Sequence, residues 1–216
     1  LTADKKQLAE AFAGVEVAVE LSPRYNIAPS QPVAVIANNR PDTLEYFQWG
    51  LIPSWAKDPK IGNRMINARA ETLAEKSSFK NAYKRRRCLI PASGFYEWRK
   101  NPGGKSKTPL YIHLKSGQLL AFAGLWESWH SPDGSNILSC TIITTEPNAF
   151  MAEIHNRMPA ILQPADYGRW LDPALQNPAD LEPLLAPFPA ELMAAYPVSP
   201  LVNSPANESA ACIAPV

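Results

Sequence analysis

Twenty-two prolines are scattered through the 216 residues of this chain, where average usage near 5% would give about half as many. No other feature restricts the fold as much. Proline removes a donor from any ladder and ends or kinks a helix, so regular elements must be short and turns frequent. The prolines are dispersed, which points to many turns rather than one disordered tract. Between them lie short runs with strand character, at residues 32–37, 44–49, 88–90, 95–99, 110–114, 119–126 and 137–144. Turn chemistry joins them: Asn38-Asn39-Arg40-Pro41-Asp42, Gly103-Gly104, Ser116-Gly117 and Pro132-Asp133-Gly134. Residues 54–63, between Pro53 and the next apolar run, read as a loop. Helical patterns fit 4–13, capped by Asp4 with Leu8 and Phe12 on one face, and 68–76, 146–154 after Thr145 as cap, 164–171 and 179–185. The tail from Tyr196 reads as extended. No repeat or linker divides the chain. Strands mostly in hairpin succession, with helices inserted, predict a single antiparallel α+β domain.

Charge is nearly balanced, with 21 Lys+Arg against 20 Asp+Glu. A polyanionic partner would therefore need a local basic patch. No apolar run approaches the roughly 20 residues that span a bilayer, and no basic stretch followed by an apolar one marks a signal peptide. Cys88, Cys140 and Cys212 are an odd set without metal-ligand spacing. The expectation is a reduced, cytosolic protein with no metal and no cofactor.

Chemistry concentrates in three islands: Met65-Ile66-Asn67-Ala68-Arg69-Ala70-Glu71-Thr72, Ser93-Gly94-Phe95-Tyr96-Glu97-Trp98, and Glu153-Ile154-His155-Asn156-Arg157-Met158-Pro159. Asn67, just before the helix expected from Ala68, fits an N-cap, or an amide that orients a sugar or carbonyl oxygen. Arg69, in the expected first turn, suits an anion site, or a salt bridge to Glu71. Glu97 shares a strand face with Phe95 and Arg99. It lies either on a wet face or partly desolvated with a raised pKa suited to proton transfer. His155, at a loop edge past a helix, is the natural acid–base group at neutral pH, though a lone histidine is more often structural. Lys84-Arg85-Arg86-Arg87 is a solvated end of the preceding segment or a phosphate contact. The aromatics Trp49, Trp55, Tyr83 and Trp98 either stack on unpaired bases or fill the core. Among the thiols only Cys88, after three arginines, has the setting of an activated nucleophile.

At these residues the chain resembles the SRAP (SOS-response-associated peptidase) domain family. The resemblance is carried by Arg24-Tyr25-Asn26-Ile27-Ala28-Pro29, Trp49-Gly50-Leu51-Ile52-Pro53-Ser54-Trp55, Asn67-Ala68-Arg69-Ala70-Glu71-Thr72, Arg87-Cys88-Leu89-Ile90-Pro91, Gly94-Phe95-Tyr96-Glu97-Trp98, His155-Asn156-Arg157-Met158-Pro159, and Pro197-Val198-Ser199 with Val202-Asn203. Seven pieces in the family's order cover essentially the whole chain. The resemblance implies a compact, mainly antiparallel, barrel-like β-sheet with flanking helices. It also implies an abasic-site sensor that forms a covalent thiazolidine with single-stranded DNA through an N-terminal cysteine. In that reading Asn67 positions the sugar or the terminal amine, Glu97 holds or deprotonates that amine, and His155 exchanges protons with the sugar oxygen and imine. Arg69 would bind phosphate, and Asn26, Pro29 and Trp55 would line the DNA channel; Arg85 and Arg86, from the basic run, are the further phosphate candidates. The partners implied are abasic single strands, including junctions and overhangs, met by a cytoplasmic, nucleoid-associated monomer with no membrane contact.

The family begins Met-Cys-Gly-Arg-Phe before a segment like Leu1-Thr2-Ala3-Asp4. The present sequence opens at Leu1, so the expectation is a start downstream of the reactive cysteine. Two other readings compete: a non-covalent reader of single-stranded or junction DNA with a vestigial site, and a thiol autopeptidase that removes its own leader. The residues encoded before Leu1 separate the first from the crosslinker, and the intact mass of the expressed protein reveals the second.

Overall fold

The computed structural model describes residues 1–104 and 106–216. Among the described residues there are eleven strands: β1 (Glu16–Val17), β2 (Pro32–Ala37), β3 (Thr43–Trp49), β4 (Asn67–Arg69), β5 (Arg87–Ala92), β6 (Phe95–Lys100), β7 (Lys107–Leu114), β8 (Leu120–His130), β9 (Asn136–Thr145), β10 (Met158–Pro159) and β11 (Met193–Pro197). Five short α-helices accompany them: α1 (Lys5–Ala11), α2 (Lys80–Arg85), α3 (Ala149–Ala152), α4 (Tyr167–Leu171) and α5 (Pro178–Leu181).

Strands β3, β2, β5, β8 and β9 follow one another through antiparallel pairings, and β9 returns to β3 in parallel. The result is a closed five-stranded barrel, mainly antiparallel as expected, with a separate sheet β11-β7-β6 beside it. Period-two alternation sorts the strand residues into two cores. Val33, Val35, Phe47, Cys88, Ile90, Phe122, Trp126 and Cys140 form one, continuous with Ile112 and Leu114 of the small sheet. Ala34, Ile36, Leu44, Leu89, Ala123 and Leu125 form the other, under Leu8 of α1, Tyr83 of α2, Trp170 of α4 and Leu181 of α5. A barrel this narrow is filled by side chains, not a pore. Gly124 shows how tightly: a Cβ there would lie 2.8 Å from Cys88 Sγ and 2.9 Å from Ile90 Cδ1.

Several local expectations are met with small shifts. Asp4 caps α1 through a reciprocal pair of bonds with Gln7, at 2.8 and 3.0 Å. The turn at 38–42 does connect β2 to β3. Others need correction. The helix expected over 68–76 is absent: residues 67–69 are strand β4 and only Ala70–Thr72 forms a 3-10 turn. The backbone of 67–69 is taken up by parallel pairing with Ile142, Ile143 and Thr144 of β9, so Asn67 cannot serve as a cap. The helix expected over 146–154 shrinks to Ala149–Ala152, capped by Asn148 rather than Thr145. Pro147 disfavours helical backbone at Glu146, and Thr145 is still part of β9. The loop at 54–63 carries a 3-10 helix, Pro59–Arg64, and the tail read as extended from Tyr196 is strand only to Pro197, where β11 pairs with β7, before 3-10 turns at Pro200–Asn203 and Ala210–Cys212.

The basic run divides. Arg87 is fully buried, and its guanidinium donates to the carbonyls of Trp170 (2.6 Å), Tyr83 (3.0 Å), Lys84 (2.7 Å) and Asp172 (2.6 Å). These are the terminal carbonyls of α2 and α4, groups that no intrahelical donor satisfies. One planar fork therefore ties two helix ends to the barrel. Arg87→Met should destabilise the fold by at least about 3 kcal/mol, because charge-assisted bonds vanish and buried acceptors are orphaned. Arg85→Met, at an exposed neighbour, should change it by less than about 0.5 kcal/mol. Chemical denaturation of the two variants checks this; equal effects would remove Arg87 from its assigned role.

Candidate active site

Antiparallel order brings the start of β2, the end of β3, the end of β5, the start of β8 and the end of β9 to the same mouth of the barrel. A cavity of about 700 Å³ opens there. Val33, Trp49, Ala92, Phe122 and Ile142 floor it, and Phe95 to Trp98 of β6, Met158 and Pro159 of β10 and the segment Arg24–Pro29 wall it. The first residues, Leu1 and Thr2, line the same space.

The three islands meet at this mouth. Asn67 and Arg69 are exposed on one face of β4, while Ala68 between them is buried. Strand geometry sends both side chains the same way, so the amide and the guanidinium line one cavity. Glu97, on β6, is half-buried at the wall, and burial raises its pKa above the ordinary carboxyl value, opposed by His155 and by the Trp98 N–H. Of its two sequence-level readings, the desolvated one is observed. His155 follows α3 and leaves its Nδ1 3.9 Å from Glu97 Oε1. The same Nδ1 is 3.2 Å from the Arg157 backbone nitrogen and carbonyl oxygen. The Arg157 N–H donates to Nδ1 in the neutral ring with its proton on Nε2; a proton on Nδ1 would face the Arg157 carbonyl and Glu97 instead.

Arg157 is the member of the constellation that the sequence reading did not assign. Its guanidinium grips Glu71 with two bonds, 2.7 and 2.9 Å, and donates to the Thr144 carbonyl at 2.7 Å. That pairing holds the Glu71 carboxyl below its ordinary pKa. It also pins the loop carrying His155 to the end of β9. The signal was present, since Glu71 and Arg157 each sit two residues from an assigned group, but only the fold shows that they pair.

Other assignments are redistributed. Asn26 reaches the cavity wall, yet its amide is buried and donates to the carbonyls of Val202, Ser204 and Asn207. Pro29 lines the mouth. Trp55 is 58% exposed, but its loop packs through Ala56 against Trp129, at the other end of β8, and it does not line the cavity. Arg85 and Arg86 precede β5, at the end of that strand remote from the mouth. Arg85 is exposed, and Arg86 is paired with Glu127 at 2.6 Å. The structure does not bring these three residues to the site. Cys88, Cys140 and Cys212 are all buried and free. Burial pushes the Cys88 thiol well above its ordinary pKa, so the arginines before it do not activate it.

The arrangement offers an amide, an exposed guanidinium, a desolvated carboxyl and an imidazole around a space with apolar walls. It can bind an anion, hold a carbonyl and move a proton. The SOS response associated peptidase (SRAP) family model matches residues 1–205. Abasic site processing protein YoqW of Bacillus subtilis is 52% identical over 192 residues, covering 88% of this chain and 85% of YoqW. Abasic site processing protein HMCES of mouse is 34% identical over 231 residues, covering 89% of this chain and 65% of that protein. The crystal structure of a protein from Bacteroides thetaiotaomicron superposes with a TM-score of 0.82 at 29% identity, covering 100% of this chain and 97% of the other. By both its sequence and its fold, the chain belongs to the SOS response associated peptidase (SRAP) family.

Proposed function

We propose that this protein processes abasic sites in single-stranded DNA by a covalent crosslink through a cysteine lying upstream of Leu1. The observation that carries the reading is the convergence of Leu1, Asn67, Glu97 and His155 on one cavity. The names borne by its relatives point the same way. The α-amine of the cysteine adds to the aldehyde of a ring-opened deoxyribose, and loss of one water gives an imine. The thiol sulfur then adds to the imine carbon while nitrogen takes up the proton, closing a thiazolidine with no change of oxidation state. A thiol and an amine on adjacent carbons are needed because an imine alone hydrolyses.

Glu97 takes the proton from the cysteine ammonium so that the free amine can attack, a role that suits a carboxyl whose pKa burial has raised. His155, beside it, exchanges protons with the sugar oxygen as the ring opens. Asn67 orients that oxygen. Arg69 takes a flanking phosphate, and Pro29 borders the strand's path. Trp55, Arg85 and Arg86, away from the mouth, are left out of the reacting constellation. The protein acts as a monomer in the cytoplasm, at the nucleoid.

Glu97→Gln and His155→Ala, in protein carrying its upstream residues, should each slow adduct formation by about 10²-fold or more. Rates on denaturing gels within about twofold of the parent for both would remove the assigned roles. Stability gives an independent sign. With the folded pKa of Glu97 raised, its ionisation is disfavoured in the native state, so stability is complete below the unfolded pKa and falls as pH rises through the folded one. Glu97→Gln should therefore be at least as stable as the parent at neutral pH, an advantage that disappears in acid; a less stable variant at neutral pH would mark the carboxylate as structural.

Binding tests the placement of Arg69. Each phosphate contact on a single strand contributes about −0.7 to the slope of log K against log salt. Arg69→Ala should weaken binding and make the slope shallower by about one such contact, measured by fluorescence anisotropy. Unaltered affinity and slope would move the DNA path elsewhere.

A further inference from the structure

The segment between β1 and β2 contains the cavity-lining residues Arg24 to Pro29 but no regular structure. Backbone bonds hold it where the Arg24 N–H donates to the Leu1 carbonyl (2.8 Å) and the Ser30 N–H to the Trp49 carbonyl (2.7 Å), and between them one side chain takes up three donors. Oε1 of Glu208 accepts the backbone N–H of Tyr25 and, at 3.0 Å, that of Asn26. Oε2 accepts Nε of Arg24 at 2.9 Å. Asn26 answers by donating its amide to Val202, Ser204 and Asn207 on the tail, and the Tyr96 hydroxyl donates to the Tyr25 carbonyl at 2.6 Å. The carbonyl of Arg24 in turn accepts the Leu1 nitrogen at 2.8 Å. Thr2 is held on its other side by Ser93 Oγ at 3.0 Å. A continuous path of bonds thus runs from Glu208 through Arg24 to Leu1. The family match ends at residue 205, so Glu208 lies beyond it.

We propose that Glu208 is a positioning residue that sets where the chain enters the cavity at Leu1. A carboxylate receiving two main-chain N–H groups and a guanidinium makes strong, directional bonds. Without it, those donors lose their acceptor and the irregular segment loses its anchor. The Arg24 carbonyl then no longer fixes Leu1, and whatever precedes Leu1 samples the cavity rather than occupying one place in it. The inference rests on the function proposed above, in which the residues before Leu1 carry the reacting groups.

The test uses protein carrying its upstream residues, as the parent, Glu208→Ala and Glu208→Gln. Three quantities are read: hydrogen exchange at residues 1–3 and 25–26, affinity for abasic single-stranded DNA, and adduct formation at saturating DNA. In Glu208→Ala, exchange in both segments should accelerate by about tenfold or more. The saturated rate should fall by about tenfold or more, since small misplacements of reacting groups are costly, while affinity stays within about twofold. Glu208→Gln, which keeps one carbonyl acceptor, should fall between the two, and it decides the matter if the alanine variant does not fold. Unchanged exchange at residues 1–3 together with an unchanged saturated rate overturns the proposal. So does a rate that returns to the parent's value at a temperature where the variant is fully folded. If the parent forms no adduct, the crosslinking function fails by itself. Exchange at residues 1–3 then still decides the positioning: acceleration supports it and parental protection overturns it.

Discussion

The site depends on one short parallel contact. Gln48 and Trp49 at the end of β3 pair with Ser139 and Cys140 of β9, and this turns a meander of antiparallel strands into a closed barrel. Immediately after it, the chain has to leave the ladder sharply. Gly50 does so at φ +131°, so close to Gly62 that a Cβ would stand 2.7 Å from its carbonyl oxygen. The departure frees the remaining edge of β9, where Asn67 to Arg69 then pair with Ile142 to Thr144. The Trp49 indole locks the crossover by donating to the Ile66 carbonyl at 2.8 Å. Without the closure, β9 would present that edge elsewhere, and the amide and guanidinium of the site would have no fixed direction.

From that edge His155 is placed by polar contacts and Glu97 by packing. Arg157 binds the Thr144 carbonyl at the end of β9 and Glu71 just past β4, so His155 inherits its position from both strands. Glu97 comes from the separate sheet, which joins the barrel core through Ile112 and Leu114. The carboxyl and the imidazole belong to different layers of the molecule, and their 3.9 Å separation measures how those layers dock. A desolvated carboxyl near an imidazole is costly in stability and useful for proton transfer, the compromise that reacting sites commonly make.

Much of this was legible in the residues. Proline spacing and turn chemistry gave short strands in hairpin order, and the apolar runs at 32–37 and 137–144 are barrel strands. Asn67, Glu97 and His155 stood out in the three islands, and the fold brings them to one cavity, but their local settings equally fitted a cap, a wet strand face and a structural histidine, and only the family resemblance assigned them roles. What escaped was set by partners distant in sequence. Propensity favoured a helix at 68–76, but pairing with β9 overrode it. The basic run 84–87 looked uniform, yet Arg87 faces two helix ends in the interior and Arg86 faces Glu127. The exposed Trp55 resembled a stacking platform until Ala56 and Trp129 placed its loop away from the mouth. Local pattern does not encode which charged residue the tertiary fold will bury.

Intact mass spectrometry of protein carrying its upstream residues, incubated with a single strand containing one abasic site and examined without reductant, tests the central claim. The expected product is a denaturation-stable species weighing the sum of protein and DNA less one water, with the DNA on an N-terminal cysteine. An adduct seen only after borohydride trapping, or none from protein whose N-terminal cysteine is confirmed, would contradict it.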